Sequence, residues 1–90
     1  MDVNVRYASA FRKHYPKRIK PFPALHAKFE ERLSMLLTNS RNPLLHDHEL
    51  KGNKVGCRSC SITGDIRLLY RVINDVIELL DIGTHNQVYK

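Results

Sequence analysis

The segment GDIRLLYRVINDVIELLDIGTHNQVY, residues 64–89, decides the fold. Residues 66–73 and residues 76–82 each follow a period-two pattern rich in apolar side chains, which is typical of β-strands. Asn74 and Asp75 lie between the two patterns, and such a pair suits a two-residue hairpin turn. The segment therefore predicts an antiparallel hairpin that is followed by a short polar run around His85.

The open ends of this hairpin carry polar groups of complementary chemistry. Asp65 and Arg67 stand at the start of the first strand, and His85 follows Gly83, which lets the backbone turn, at the end of the second. A guanidinium binds phosphate through paired hydrogen bonds and stabilises the charge that builds during phosphoryl transfer, and an imidazole transfers protons near neutral pH. An acid, a guanidinium and an imidazole at one end of a sheet face suit the cleavage of a phosphodiester without a metal.

The arginines of the first strand also have an ordinary interpretation. Arg67 and Arg71 fall on one face of the strand, and each can pair across the hairpin with Glu78 or Asp81. We expect such pairing for Arg71 more than for Arg67, because Arg67 sits beside Asp65 near the strand start.

The residues upstream predict helices and further strands. Residues 3–7 alternate as a short strand, and Ser9 can cap a helix that precedes the break at residues 21–23. Residues 23–38 predict the clearest helix, and residues 57–62 predict another strand. The apolar face of the clearest helix consists of Leu25, Phe29, Leu33 and Leu36. The sequence therefore predicts an α+β fold, with a small antiparallel β-sheet packed against two N-terminal helices in the order β-α-α-β-β-β.

Length and composition restrict the class of protein. The chain has 90 residues, of which 42% are hydrophobic, and this predicts a single domain over residues 1–90. No apolar run reaches the roughly 20 residues of a membrane span, and the N-terminal stretch has no apolar core of a secretory signal. Two cysteines are too few for a disulfide scaffold, so we expect a reduced, cytoplasmic protein without a membrane partner.

The charge distribution points to a polyanion. Fifteen Lys and Arg stand against nine Asp and Glu, which gives a formal net charge of +6. Within residues 12–20 the basic side chains are not interrupted by an acid, and they are Arg12, Lys13, Lys17, Arg18 and Lys20. Nucleic acid is the commonest partner of such a surface. The alternatives are a solvated basic face or a docking face for an acidic protein.

Two groups of potential metal ligands, a cysteine pair and a histidine pair, do not meet the requirements of a metal site. Cys57 and Cys60 lie three apart in a strand, where their side chains point to opposite faces, and no second pair completes a zinc site. His46 and His48 could lie on one side of an extended loop, but exposed loop histidines are the commoner outcome. We therefore expect no metal and no cofactor.

The same loop is a candidate for phosphate chemistry. His48 is followed by Lys51 and Lys54, whose ammonium groups would attract a phosphate. His48 could then donate or accept a proton near neutral pH.

The chain resembles the RelE/ParE superfamily of bacterial toxins, and within it the YafQ-like branch. The resemblance covers nearly the whole chain, and its second half is the specific part. The matching stretches, in order, are NPLL at 42–45, HELKG at 48–52, CRSCSITGDIR at 57–67, LYR at 69–71 and DIGTHNQVY at 81–89.

The resemblance implies the toxin of a type II toxin–antitoxin pair. Such toxins enter the ribosomal A site and cleave messenger RNA there without a metal. The ribose 2′-OH attacks the adjacent phosphorus, leaving a cyclic phosphate and a 5′-hydroxyl. A cognate antitoxin wraps the toxin in a hetero-oligomer, so the implied partners are that antitoxin, the ribosome and messenger RNA.

The family's functional positions can be carried onto this chain one residue at a time. The implied catalytic residues are His48, Asp65, Arg67 and His85. Tyr89 matches the late aromatic position, and Arg58 matches a basic position that RelE uses, so Arg58 and Arg67 would form a phosphate clamp. Five more basic residues are expected to hold RNA backbone, namely Lys13, Lys17, Arg18, Lys51 and Lys54.

The chain departs from its relatives at two positions. Ser61 stands where YafQ relatives often carry a histidine, and Cys60 stands where RelE relatives carry a lysine. One proton-transfer group of each branch is therefore missing. Two alternatives stay open: a ParE-like toxin that acts on DNA gyrase without catalysis, and a degenerate member that binds without cleaving.

Overall fold

The protein is described by a computed structural model that covers residues 4–54 and 56–89. The helices are α1 (Ser9–Arg18), α2 (Pro23–Thr38) and the single turn α3 (His85–Val88). The strands are β1 (Asn4–Tyr7), β2 (His48–Glu49), β3 (Arg58–Ser61), β4 (Ile66–Ile73) and β5 (Val76–Thr84). Within these ranges the strands form one sheet in the order β1-β5-β4-β3-β2. The predicted α+β class is confirmed.

The hairpin β4–β5 has the predicted turn and one irregularity. Ile73 pairs with Val76 across the turn, and Asn74 adopts φ 56°, which asparagine tolerates better than most residues. Tyr70 pairs with Leu79 although Leu69 pairs with Asp81, so β5 holds one extra residue at this point. Strand β5 also continues two residues beyond the predicted end and delivers the chain into α3.

The sheet is mixed because β1 runs parallel to β5, whereas β3, β4 and β5 pair antiparallel as predicted. Strand β2, which pairs antiparallel with β3, and helix α3 are additions to the predicted order β-α-α-β-β-β. The alternation of apolar and polar residues along a strand shows which face of the strand is buried. It does not show which strand lies beside it or whether the two run parallel or antiparallel. Val3, which was expected to begin β1, lies outside the described residues.

The helices cover the apolar face of the sheet. Helix α2 has its predicted bounds, with Pro23 in the first turn and Phe29 and Leu36 buried. Helix α1 begins at Ser9 itself, and Ala8 is its N-cap, so the predicted capping role of Ser9 is wrong. Phe11 packs between the helices, with its ring centroid 5.8 Å from that of Phe29.

Buried groups that can lose a proton make the fold sensitive to alkaline pH. Burial raises the pKa of the Cys60 thiol to about 12 from its ordinary value of 9.0. Burial, followed by the hydrogen bond to Asp47, also raises the pKa of the Tyr70 hydroxyl. The unfolded chain therefore releases these protons at a lower pH than the folded chain does. Their stabilising contribution is complete below about pH 9 and is lost as pH rises toward the folded pKa values.

We expect Cys60→Ala to flatten this pH dependence. The variant should be about 1 kcal/mol less stable than the wild type at pH 7, and its deficit should shrink between pH 9 and pH 11. Urea unfolding at a series of pH values measures both quantities. Ile82→Val removes buried volume without removing a titrating group, so its deficit should stay constant. Parallel curves for Cys60→Ala and the wild type would contradict the account.

Candidate active site

A cleft lies where the start of β4 meets the junction of β5 and α3. The antiparallel register creates it, because Ile66 pairs with Thr84 and Arg67 pairs with Gly83. Its volume is about 280 Å³, and its lining residues are Gly64, Asp65, Arg67, Thr84, His85 and Asn86. The structure thus brings together three of the four residues that the sequence nominates for catalysis.

Arg67 is fixed on the sheet surface by its neighbour on β3. Its Nη1 donates to Ser61 Oγ at 3.0 Å, and Ser61 is its pairing partner across the two strands. The Ser61 hydroxyl therefore orients the guanidinium. The remaining N–H groups of Arg67, which is half-buried, can face an oxyanion in the cleft.

Asp65 reaches the cleft from a tight turn. Thr63 Oγ1 accepts hydrogen bonds from the backbone N–H groups of Asp65 at 3.2 Å and of Ile66 at 3.1 Å. This hydroxyl adds to the backbone bonds that Ile62 N and Thr63 N donate to Ile66 O. Asp65 stays exposed and lines the cleft together with Arg67.

His85 is the first residue of α3, and a capping box fixes the helix start. Thr84 N donates to Gln87 Oε1 at 2.8 Å, and Gln87 N donates to Thr84 Oγ1 at 3.3 Å. The exposed His85 imidazole lies against the ring of Tyr89, with a centroid separation of 4.4 Å. The Tyr89 hydroxyl donates to Ser59 Oγ on β3.

Gly83 makes room for this arrangement. A Cβ atom at this position would lie 2.5 Å from Gln87 Oε1 and 2.7 Å from Arg18 Nη1. Among the described residues, the glycines with positive φ are Gly52 and Gly56. Gly83 is therefore not needed for the backbone turn that the sequence predicts, but for the close approach of the Gln87 and Arg18 side chains.

His48 lies on the same sheet face as the cleft but outside it. It pairs with Ser59, so its side chain points to the face that carries Ser59, Ser61 and Arg67. Strand β3 lies between β2 and β4, so the backbone of His48 is about 10 Å from that of β4. Its Nδ1 is 3.0 Å from the carbonyl oxygen of His46, which assigns the proton to Nδ1 and leaves Nε2 as an acceptor in the neutral ring.

Arg58 lies on the opposite face of the sheet from Arg67. It pairs with Tyr70, and its Nε lies 3.2 Å from Asp47 Oδ1. It faces a separate groove of about 810 Å³ between the end of α2 and the hairpin. The predicted clamp of Arg58 and Arg67 is therefore wrong, because pairing with Tyr70 puts Arg58 on the face that Arg67 does not share.

The basic residues of α1 divide into free and tethered side chains. Lys13 and Lys17 are exposed. Arg18 is half-buried, and its Nη1 donates to Ile82 O at 2.9 Å and lies 3.6 Å from Asp81 Oδ1. This contact anchors the end of α1 beside β5, one residue before Gly83, so the basic helix flanks the cleft.

The remaining nominated positions are placed as follows. Lys51 is exposed and Lys54 is half-buried. Arg71 Nε lies 2.6 Å from Glu78 Oε1, which is the ordinary cross-strand pairing expected for Arg71.

Over residues 4–54 and 56–89, no three His, Cys, Asp or Glu side chains converge as a metal site. In the same part of the chain, no helix is long and apolar enough to span a bilayer.

Sequence reasoning missed the hydroxyl groups that orient the site. Ser59, Ser61 and Thr63 carry no motif, and their roles depend on strand register. Thr84 and Gln87 could have been found, because a threonine followed three residues later by a glutamine is a capping-box signature.

Solved structures match this architecture over nearly its full length. YafQ from E. coli strain BL21(DE3) has a TM-score of 0.78 at 19% identity, covering 99% of this chain and 100% of that one. A copper-bound mutant toxin from Helicobacter pylori has a TM-score of 0.78 at 26% identity, with 97% and 99% covered. The toxin of the E. coli DinJ–YafQ complex has a TM-score of 0.76 at 20% identity, with both chains covered completely. No curated protein matches in sequence.

The fold is therefore the one that these solved toxin structures share. The family model described as "Bacterial toxin of type II toxin-antitoxin system, YafQ" matches residues 3–90. The chain belongs to this family, and the resemblance inferred from the sequence is confirmed.

Proposed function

We propose that this toxin is a ribosome-dependent messenger-RNA endonuclease that inhibits translation in the cytoplasm. The observation that carries the proposal is the cleft in which Asp65, Arg67 and His85 meet. Together they supply an acid, a phosphate-binding guanidinium and a proton-transfer group, which is the set that cleavage of RNA by its own 2′-OH uses. This chemistry requires no cofactor.

The reaction is an in-line transfer at phosphorus. A histidine removes the proton from the ribose 2′-OH, whose oxygen attacks the adjacent phosphorus. The bond to the 5′-oxygen breaks, and that oxygen takes a proton from the second histidine. The products are a 2′,3′-cyclic phosphate and a 5′-hydroxyl. His85 and His48 share the acid and base roles, Asp65 tunes or orients a histidine, and Arg67 stabilises the charge of the phosphorane-like transition state.

The basic surface would hold the RNA backbone. Lys13 and Lys17 project from α1, whose end is anchored beside the cleft through Arg18. Lys51 and Lys54 extend this charge on the His48 side, and Tyr89 can stack on a base next to His85. Arg58 would act only at the separate groove. Binding of this kind weakens steeply with salt.

The protein partner is a cognate antitoxin. The E. coli relative is described in complex with DinJ, and a Staphylococcus aureus relative in complex with YefM. We propose that this chain forms an equivalent hetero-oligomer in which the antitoxin blocks or distorts the cleft.

Controlled expression tests the function. Induction without antitoxin should stop growth, and primer extension should show new messenger-RNA ends within the translated region. Growth arrest with a DNA-damage response and intact messenger RNA would instead indicate a gyrase inhibitor. Normal growth would indicate a binding module that lost cleavage when Ser61 replaced a histidine.

A further inference from the structure

Ser59 is a polar residue in an unusual position. It is fully buried in the middle of β3, on the sheet face opposite the main hydrophobic core. Its Oγ accepts the hydrogen bond of the Tyr89 hydroxyl, a contact between residues 30 positions apart in the chain. Buried hydroxyls are normally hydrogen-bonded, so Ser59 and Tyr89 each lose a partner if the other is removed.

Tyr89 in turn supports His85. The Tyr89 ring lies 4.4 Å from the imidazole, centroid to centroid, and its backbone N–H donates to His85 O at 3.0 Å. Helix α3 has a single turn, which is too short to hold its own shape in water. The position of the imidazole therefore depends on what fixes α3: the capping box at Thr84, the buried Val88, and the anchored Tyr89 after the last turn.

We propose that Ser59 is a positioning residue for His85. Its hydroxyl holds the Tyr89 ring on the sheet, and that ring holds the imidazole over the cleft of Asp65 and Arg67. Ser59 is also the strand-pairing partner of His48, so the residue that bears this hydroxyl lies beside His48 in the sheet. The inference rests on the proposed function for its catalytic consequence, while the structural link itself can be measured without catalysis.

A double-mutant cycle separates this role from a general contribution to stability. Tyr89→Phe keeps the aromatic ring and removes the hydroxyl, and Ser59→Ala removes the acceptor. Each should lower kcat for messenger-RNA cleavage about 10- to 100-fold and change KM less than about 3-fold, because a displaced catalytic group costs turnover. The double variant should be no slower than either single variant, since both remove the same link.

The control for the cycle is Ser34→Ala. Ser34 is exposed on α2, and its replacement should leave cleavage at the wild-type rate. Multiplied losses in the Ser59 and Tyr89 double variant, or single variants that cleave as fast as wild type, would overturn the inference.

The His85 ring signals give a test that needs no cleavage. In the wild type, the Tyr89 ring current should displace the His85 Hδ2 and Hε1 resonances from their random-coil positions. In Ser59→Ala and in Tyr89→Phe, both resonances should move, and by a similar amount, while those of His26 stay unchanged. Unchanged His85 resonances would overturn the inference whether or not the protein cleaves RNA. Displaced resonances in a protein that never cleaves would refute the proposed function and leave the positioning link intact.

Discussion

Replacement of His85 by glutamine is expected to lower messenger-RNA cleavage about 10²- to 10⁴-fold, which is the usual contribution of a general acid or base. Glutamine preserves the size and polarity of the side chain at the start of α3 but cannot transfer a proton. Because His85 is exposed, the free energy of unfolding should change by less than about 0.5 kcal/mol. Single-turnover cleavage of ribosome-bound messenger RNA and urea unfolding measure the two effects.

The matched control is His26→Gln. His26 lies on α2, with its Nε2 2.5 Å from Glu30 Oε1, and it does not line the cleft. Its replacement should leave cleavage within about 2-fold of wild type. A His85→Gln protein that cleaves and arrests growth as well as wild type would show that another group transfers the proton.

Replacement of Arg67 by alanine is expected to lower kcat about 10²- to 10³-fold, as the loss of a group that stabilises transition-state charge does. Arg67→Lys should recover only part of this loss. Lysine keeps the charge but lacks the planar fork and cannot reproduce the bond to Ser61 Oγ with the same geometry. The rate of the chemical step, measured with saturating ribosomes, distinguishes this effect from weaker RNA binding.

Arg71→Ala controls for the loss of one positive charge from the same strand. Arg71 is 46% exposed and pairs with Glu78, and an exposed pair of this kind contributes at most about 1 kcal/mol to stability. We expect cleavage within about 2-fold of wild type. Equal losses in Arg67→Ala and Arg71→Ala would indicate that strand β4 contributes only general charge.

Local patterns predicted much of the fold because they report which face of an element is buried. The bounds of α2 and β4 and the turn at Asn74 follow from periodicity and turn chemistry. The parallel direction of β1 and the extra residue in β5 depend on how distant segments meet. No property of residues 4–7 alone encodes that partner.

The candidate site was predictable to the extent that hairpin register determines it. Pairing of Ile66 with Thr84 was enough to bring Asp65 and His85 to one end. Register also rules out the predicted phosphate clamp of Arg58 and Arg67, because Arg58 pairs with Tyr70 and lies on the opposite face of the sheet. The roles of Ser59 and Ser61 needed the tertiary contacts of α3 and β3, which a single sequence does not show.

Reconstitution with purified components tests the central claim most directly. The protein should cleave a defined messenger RNA only when a bacterial ribosome holds it with a codon in the A site. The upstream fragment should end in a 2′,3′-cyclic phosphate, and the downstream fragment should begin with a 5′-hydroxyl. Messenger RNA that stays intact on the ribosome, together with inhibition of DNA gyrase by the same preparation, would contradict the account.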